Sequence, residues 1–166
     1  MSAGPVELLA FTDKGYELAK KLAAGLGGRA ARCGSPLSLS HWTQEAFSHA
    51  GALIYVGAAG IAVRAIAPYI QSKAKDPAVV VVDEGANWAV PVLSGHLGGA
   101  NDLARRISAL CGAAAVITTA TDVNGVFAVD EWAKRQNCTI LNPEKIKTVS
   151  AAVLAGQTVG VYSDFP

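Results

Sequence analysis

Cysteine is scarce in this chain and poorly placed for chemistry: Cys33, Cys111 and Cys138 are the only three among 166 residues. An odd number at wide spacing makes neither a disulfide framework nor a metal-ligand pair. Free thiols, buried or half-buried in a reducing compartment, are expected. Charge is also scarce. Only 16% of the residues are charged, the formal net charge is +1, and no Lys/Arg block stands out. A nucleic-acid groove needs a basic stripe, so no nucleic-acid partner is expected. Long apolar runs are missing as well. Those present are broken by Gly, Arg and Pro, as in Val56–Pro68, and none reaches the ~18 residues of a membrane span, so no membrane partner is expected. The polar start Met1–Pro5 leads directly into Val6–Phe11 without a signal-peptide pattern, which points to the cytoplasm. No internal repeat or low-complexity tract is visible.

What the chain has is apolar bulk: 51% of its residues are hydrophobic. That is above the usual share for a soluble domain and predicts strands buried on both faces. Strand and helix signals alternate. Val6–Phe11 reads as a strand, and Thr12 as the N-cap of a helix striped by Tyr16, Leu18, Leu22 and Leu26 and ending at Gly27-Gly28. A weak strand follows near Arg29–Cys33, then a helix capped by Ser40 and running through Phe47. Ala52–Val56 is a short buried strand, and Ile61 to about Ile70 an apolar helix. The β-branched run Val79–Val82 is the clearest buried strand. Trp88–Leu93 is a weaker one because of Pro91. Gly95–Cys111 holds a helix, Ala114–Thr119 a strand, and Val129–Asn137 a helix. Cys138–Leu141 reads as extended, Asn142-Pro143 as a helix start, and Gln157–Tyr162 as a strand before Asp164-Phe165-Pro166.

Strands joined by helices imply an α/β fold: a doubly wound, mostly parallel open sheet with helices on both faces. The expected division is an α/β domain over 1–137 carrying the site, and the start of a smaller second region over 138–166.

Ligands of open α/β sheets sit beyond the carboxyl ends of the strands, and four strand ends carry unusual sequence. In the first, Gly57 and Gly60 leave backbone N–H groups open at a helix start, and Arg64 lies one turn on, where it can grip a carboxylate. The spacing is not that of a phosphate loop. A packing turn with a surface Arg is the plainer reading. In the second, Asp83 and Glu84 follow the four valines and can orient a His or accept a proton; a solvated acidic turn is the alternative. The third, Ser94-Gly95-His96-Leu97-Gly98-Gly99-Ala100-Asn101, is the most specific. Its glycines let a ligand approach the backbone, helix-start N–H groups can face an oxyanion, and His96 can act as base or acid near neutral pH. Ser94 reads better as a helix cap than as a nucleophile. In the fourth, Thr118, Thr119, Thr121, Asp122 and Asn124 form a polar turn, either a ligand cradle or a set of caps. His41 and His49 read as surface residues. Trp42, Trp88 and Trp132 read as core or rim packing.

In order along the chain, 57–68, 79–101 and 116–130 resemble the CbiG family of the anaerobic cobalamin pathway. The resemblance is carried by Gly-Ile-Ala-Val-Arg, an Asp-Glu strand end, Leu-Ser-Gly-His-Leu-Gly-Gly-Ala-Asn and Thr-Thr-Ala-Thr-Asp. It is close over 50–135, and 138–166 looks like the start of the family's middle region. It implies hydrolysis of the δ-lactone of cobalt-precorrin-5A, with loss of a two-carbon fragment as acetaldehyde, to give cobalt-precorrin-5B. The substrate is then a cobalt tetrapyrrole, the cobalt arrives inside the macrocycle, and the protein needs no cofactor or metal site of its own. Other cobalamin-pathway enzymes are possible partners.

Under that reading His96 is the catalytic base, oriented by Asp83 or Glu84, and N–H groups near Gly98 and Gly99 face the oxyanion. Gly57, Gly60, Arg64, Ser94, Asn101, Thr118, Thr119 and Asp122 bind the carboxylate-rich substrate. The family continues into a C-terminal domain that this chain lacks. Two other readings stand beside hydrolysis: a non-catalytic domain that shields the macrocycle, and an unrelated α/β module for a phosphate ligand.

Overall fold

The structure is a computed structural model and describes residues 4–72, 75–136 and 138–164. Within these the chain divides into two compact units, one ending at Ile117 and the other starting at Thr118. The sequence places the division near 137, so 118–137 falls with the second unit instead. Asn137, Met1–Ala3, Phe165 and Pro166 lie outside the described residues.

The first unit is built on six strands in the order β2-β1-β3-β4-β5-β6. β1 (Val6–Ala10), β2 (Arg29–Arg32), β3 (Ala52–Val56) and β4 (Ala78–Val82) run parallel. β5 (Trp88–Leu93) runs antiparallel to β4, and β6 (Ala114–Ala115) is parallel to β5. Every residue of β1, β3 and β4 is buried, as expected for strands covered on both faces. Their side chains alternate between two cores. Leu8, Ile54 and Val80 pack with α1 (Asp13–Leu26) and α4 (Ala100–Cys111). Leu9, Leu53, Tyr55, Val79 and Val81 pack with α2 (Leu39–His49) and α3 (Ala59–Ile66). Each fully buried Leu, Ile or Val contributes about 1.5–3 kcal/mol, so this double-sided sheet fixes the positions of its edge turns.

Local signals explain the element ends. Thr12 caps α1, its hydroxyl accepting from the Gly15 N–H at 3.0 Å, and Gly27 ends the helix in the left-handed region. α2 is capped by Ser38, not Ser40, with the Ser38 hydroxyl accepting from the His41 N–H. Ser40 lies inside the first helical turn, which Ser38 precedes. Pro91 is tolerated because β6 pairs only with Trp88 and Ala89, so the strand is an edge beyond them, and the β4–β5 register shifts between Val79 and Val80.

The second unit contains α5 (Ala120–Val123), α6 (Val129–Arg135), a 3-10 turn at Pro143–Lys145 and α7 (Ile146–Leu154). Asn142 precedes the 3-10 turn without a side-chain capping bond. The strand expected over Ala114–Thr119 shrinks to Ala114–Ala115. No strand forms at Cys138–Leu141 or over Gln157–Tyr162; Val161 and Tyr162 are exposed. Their β-propensity finds no partner strand among the described residues.

Candidate functional site

The antiparallel β5 decides where the candidate residues go. β1, β2, β3 and β4 all end at one edge of the sheet, and Gly57, Asp83 and Glu84 stand there. β5 turns back, so its Leu93 end pairs with Val79 at the start of β4. The Ser94–Gly99 turn therefore lies at the opposite edge. The two edges are separated by the five residues of β4, about 16 Å at ~3.3 Å per residue. Asp83 and Glu84 thus cannot orient His96, and the single shared edge expected from the sequence is replaced by two. The sequence did carry the signal. Residues 83–87 are too few for the crossover that a parallel β5 requires.

At the carboxyl edge the acids are already occupied. The Asp83 carboxylate accepts from the N–H groups of Gly85 (3.1 Å), Asn87 (2.8 Å) and Trp88 (2.6 Å) and from the Asn87 side chain (2.8 Å). Burial raises its pKa, but these bonds outweigh that and hold the carboxyl below its ordinary value. Asp83 is a turn-former kept ionised, which is the opposite of a general base tuned towards neutrality. Glu84 accepts from the Thr12 hydroxyl at 2.6 Å and ties the β4–β5 turn to the start of α1. Gly57 follows β3 with its N–H donated to Val82 O, and a Cβ on it would lie 2.6 Å from the Phe11 ring. Its role is close packing, as the plainer reading had it. Gly60 stands in the first turn of α3, where the Arg64 guanidinium folds back over it: a Cβ on Gly60 would be 3.7 Å from that group.

The opposite edge is shaped by backbone. Ser94 is buried and sits in the left-handed region at φ 57°. Its hydroxyl donates to Asp76 O at 3.0 Å, and its carbonyl accepts from the Ala100 N–H at 3.1 Å. It supports α4 through its carbonyl, not through a side-chain cap. The residue that starts α4 is Gly99, at φ 90°. Gly98 lies against Ser94, where a Cβ would stand 2.3 Å from the Ser94 Cβ. Gly95 O accepts from the Asn101 N–H at 3.0 Å, and the buried Asn101 side chain packs over Gly95. The N–H groups of Ala100 and Asn101 are therefore used inside the turn. His96 is half-buried in the middle of this loop, which Ser94, Gly98 and Asn101 hold in one shape.

In the second unit Thr119 precedes α5, and its hydroxyl donates to the Asp122 carboxylate. Thr121 is buried, Thr118 is exposed, and the Asn124 amide donates to Ala120 O at 2.8 Å. Thr119 and Asp122 thus bond each other, and Asn124 bonds the backbone of the same short turn. His41 and His49 are exposed, as expected. Trp42 is core, whereas Trp88 and Trp132 are about half exposed. Cys33 and Cys111 are half-buried, and Cys138 is exposed rather than sheltered.

Sequence reasoning missed a cleft at the carboxyl edge. It has a volume of about 670 Å³ and is walled by Phe11, Cys33, Ser38, Ser40, Arg64 and Tyr69, among others. No motif announces it, because its walls come from four separate strand and helix ends.

An open α/β sheet with helices on both faces, a cleft at its carboxyl edge and a glycine-bound His turn at the other edge defines the class of protein. This chain belongs to the CbiG family. The family model described as Cobalamin synthesis G N-terminal matches residues 41–122, and that described as Cobalamin biosynthesis central region matches 127–166. The chain is 39% identical to a cobalt-precorrin-5A hydrolase from Salmonella typhimurium, over 96% of this chain and 48% of that protein. It is 41% identical to a cobalt-precorrin-5A hydrolase from Priestia megaterium, over 68% of this chain and 30% of that protein. A crystal structure of a cobalamin biosynthesis protein G homolog from Sulfolobus solfataricus shares the fold, with a TM-score of 0.58 and 24% identity, over 98% of this chain and 51% of that chain. The chain thus spans about half the length of the relatives it matches. No helix among the described residues is long and apolar enough to cross a membrane.

Proposed function

We propose that this chain is the substrate-handling half of a cobalt-precorrin-5A hydrolase, opening the δ-lactone and releasing acetaldehyde to give cobalt-precorrin-5B. The observation that carries the reading is the 39% identity to the Salmonella typhimurium hydrolase along 96% of this chain. His96 takes a proton from water as the water oxygen attacks the lactone carbonyl. N–H groups at Gly98 and Gly99 face the oxygen that becomes negative. The ring C–O bond then breaks, and the leaving oxygen takes the proton back from His96. Removal of the new hydroxyl's proton then lets the C–C bond to the macrocycle break: the carbinol carbon leaves as the carbonyl of acetaldehyde, and the macrocycle carbon that keeps the electron pair takes up a proton. Cobalt travels in the macrocycle, and none of these steps needs a metal held by the protein.

Asp83 and Glu84 play no part in these steps, since they stand at the other edge. The packed turn fixes the backbone that carries His96. The test is to mix cobalt-precorrin-5A with the chain alone and with a protein that also carries the further region of its relatives, and to assay acetaldehyde. Release that depends on His96 supports the reading. Tight binding with no release from either protein would replace hydrolysis with macrocycle shielding.

A further inference from the structure

We propose that the cleft at the carboxyl edge of β1, β2 and β3 is a second binding site, separate from the His96 turn, for a carboxylate carried on a flat apolar body. Its volume of about 670 Å³ lies within the ~300–1,000 Å³ of small-molecule sites. It opens where the strand order reverses. From β1 the chain moves outward to β2, then crosses back to β3 and on to β4. Open α/β sheets take their ligands at this switch point.

The sign of the charge is set by what converges on the cleft. α2 begins here, α3 lines the cleft along its flank from Ile61 to Ala65, and a helix start carries partial positive charge. Ala58 precedes α3, has no side-chain acceptor and makes no capping bond. The Arg64 guanidinium folds back over this same first turn, beside Gly60. The neighbouring acids are engaged elsewhere: Glu84 with Thr12, and Asp13 with Arg32 at 2.7 Å. Among the described residues no carboxylate pairs with Arg64.

The walls add the second requirement. Phe11 and Tyr69 present rings, and the Ser38 and Ser40 hydroxyls sit near the start of α2. Inorganic phosphate would use the charge and leave the rings unused. A neutral apolar molecule would use the rings and leave the guanidinium without a counter-ion. A flat body with a carboxylate uses both. Identifying that body as the tetrapyrrole rests on the function proposed above; the site itself does not.

Cys33 provides a local readout, because it is half-buried and lines this cleft. In protein carrying Cys111→Ser and Cys138→Ser, Cys33 is the single thiol. Its alkylation rate is followed while a cobalt-loaded polycarboxylate porphyrin is titrated, alongside direct binding by absorbance. A ligand at about ten times its Kd leaves about a tenth of the sites open, so labelling should slow about tenfold. Arg64→Ala, an exposed change, should weaken binding about tenfold, since hydrogen bonds to a charged group are lost. Raised salt should have a smaller effect in the same direction. Inorganic phosphate should not protect Cys33.

Unchanged labelling with porphyrin bound, equal protection by phosphate, or unchanged affinity in Arg64→Ala would each overturn the site. The two proposals fail separately. Porphyrin protection of Cys33 without acetaldehyde release removes the hydrolase reading and keeps the cleft. Acetaldehyde release together with a porphyrin affinity and a Cys33 protection both indifferent to Arg64→Ala removes the cleft and keeps the hydrolase.

Discussion

At the carboxyl edge of the sheet, side chains close the turns. Asp83 gathers four donors, Glu84 holds Thr12, and Thr12 caps α1. At the opposite edge, backbone closes them. Ser94 O and Gly95 O take the first N–H groups of α4, and Gly98 fits because it lacks a Cβ. An edge held by polar side chains should tolerate a methyl group and resent the loss of a carboxylate. An edge held by backbone should do the reverse. A loop closed by its own main chain does not spend its side chains on closing the turn, whereas the Asp83 and Glu84 carboxylates are committed to theirs.

The largest expected effect is on the backbone-built edge and concerns rate. If the proposed hydrolysis holds, His96→Ala should slow acetaldehyde release by about 10²–10⁴-fold while changing urea-unfolding stability by about 1 kcal/mol or less. Wild-type release from this variant would remove His96 from the mechanism. Next comes Gly98→Ala. Its new Cβ would stand 2.3 Å from the Ser94 Cβ and 2.9 Å from Ser94 O, so the turn must open, at about 2–3 kcal/mol. Gly57→Ala should cost less, because the Phe11 ring it meets at 2.6 Å can swing aside. Equal losses in urea titrations would erase the contrast between the edges.

Between the edges, Tyr55 is fully buried and its hydroxyl meets Thr43 at 3.0 Å. Tyr55→Phe should cost about 1–2 kcal/mol by leaving Thr43 without its partner. Burial pushes the Tyr55 phenol up to about 12, above its ordinary ~10. The folded state therefore favours the protonated phenol. That contribution is complete below about pH 10 and is lost as pH rises towards 12. Unfolding titrations across that window should show a decline that Tyr55→Phe lacks.

Smaller still is Asp83→Ala, at about 1 kcal/mol for a partly exposed set of bonds. The carboxyl is held below its ordinary value, so the stabilisation it gives is present above that value and fades as pH falls through the folded one. Wild-type protein should thus converge on Asp83→Ala in strong acid. Glu84→Gln should change stability by no more than about 0.5 kcal/mol, as an exposed contact.

Much of this architecture was readable from local signals. The four valines of β4 announced a strand covered on both faces, Thr12 its helix cap, and the glycines around His96 a backbone-built turn. What escaped was relational. Alternating strand and helix suggested one parallel sheet, and the short 83–87 link was read as an acidic strand end instead of the hairpin that reverses β5. With β5 reversed, His96 and the acids part company although they lie close in sequence. The cleft at Arg64 escaped for the converse reason: its walls, from Phe11 to Tyr69, are far apart in sequence and meet only through the fold. Val161 and Tyr162 misled because β-propensity registers what a pleated surface would accept, not whether a partner strand is present.

The separation of the two edges is tested most directly by the NMR titration of the His96 imidazole in the chain itself, compared with Asp83→Asn and Glu84→Gln. Across about 16 Å of sheet, more than one Debye length at physiological salt, the His96 midpoint should move by no more than about 0.2 units in either variant. A fall of about one unit on neutralising either acid would place that carboxylate beside His96 and contradict the account.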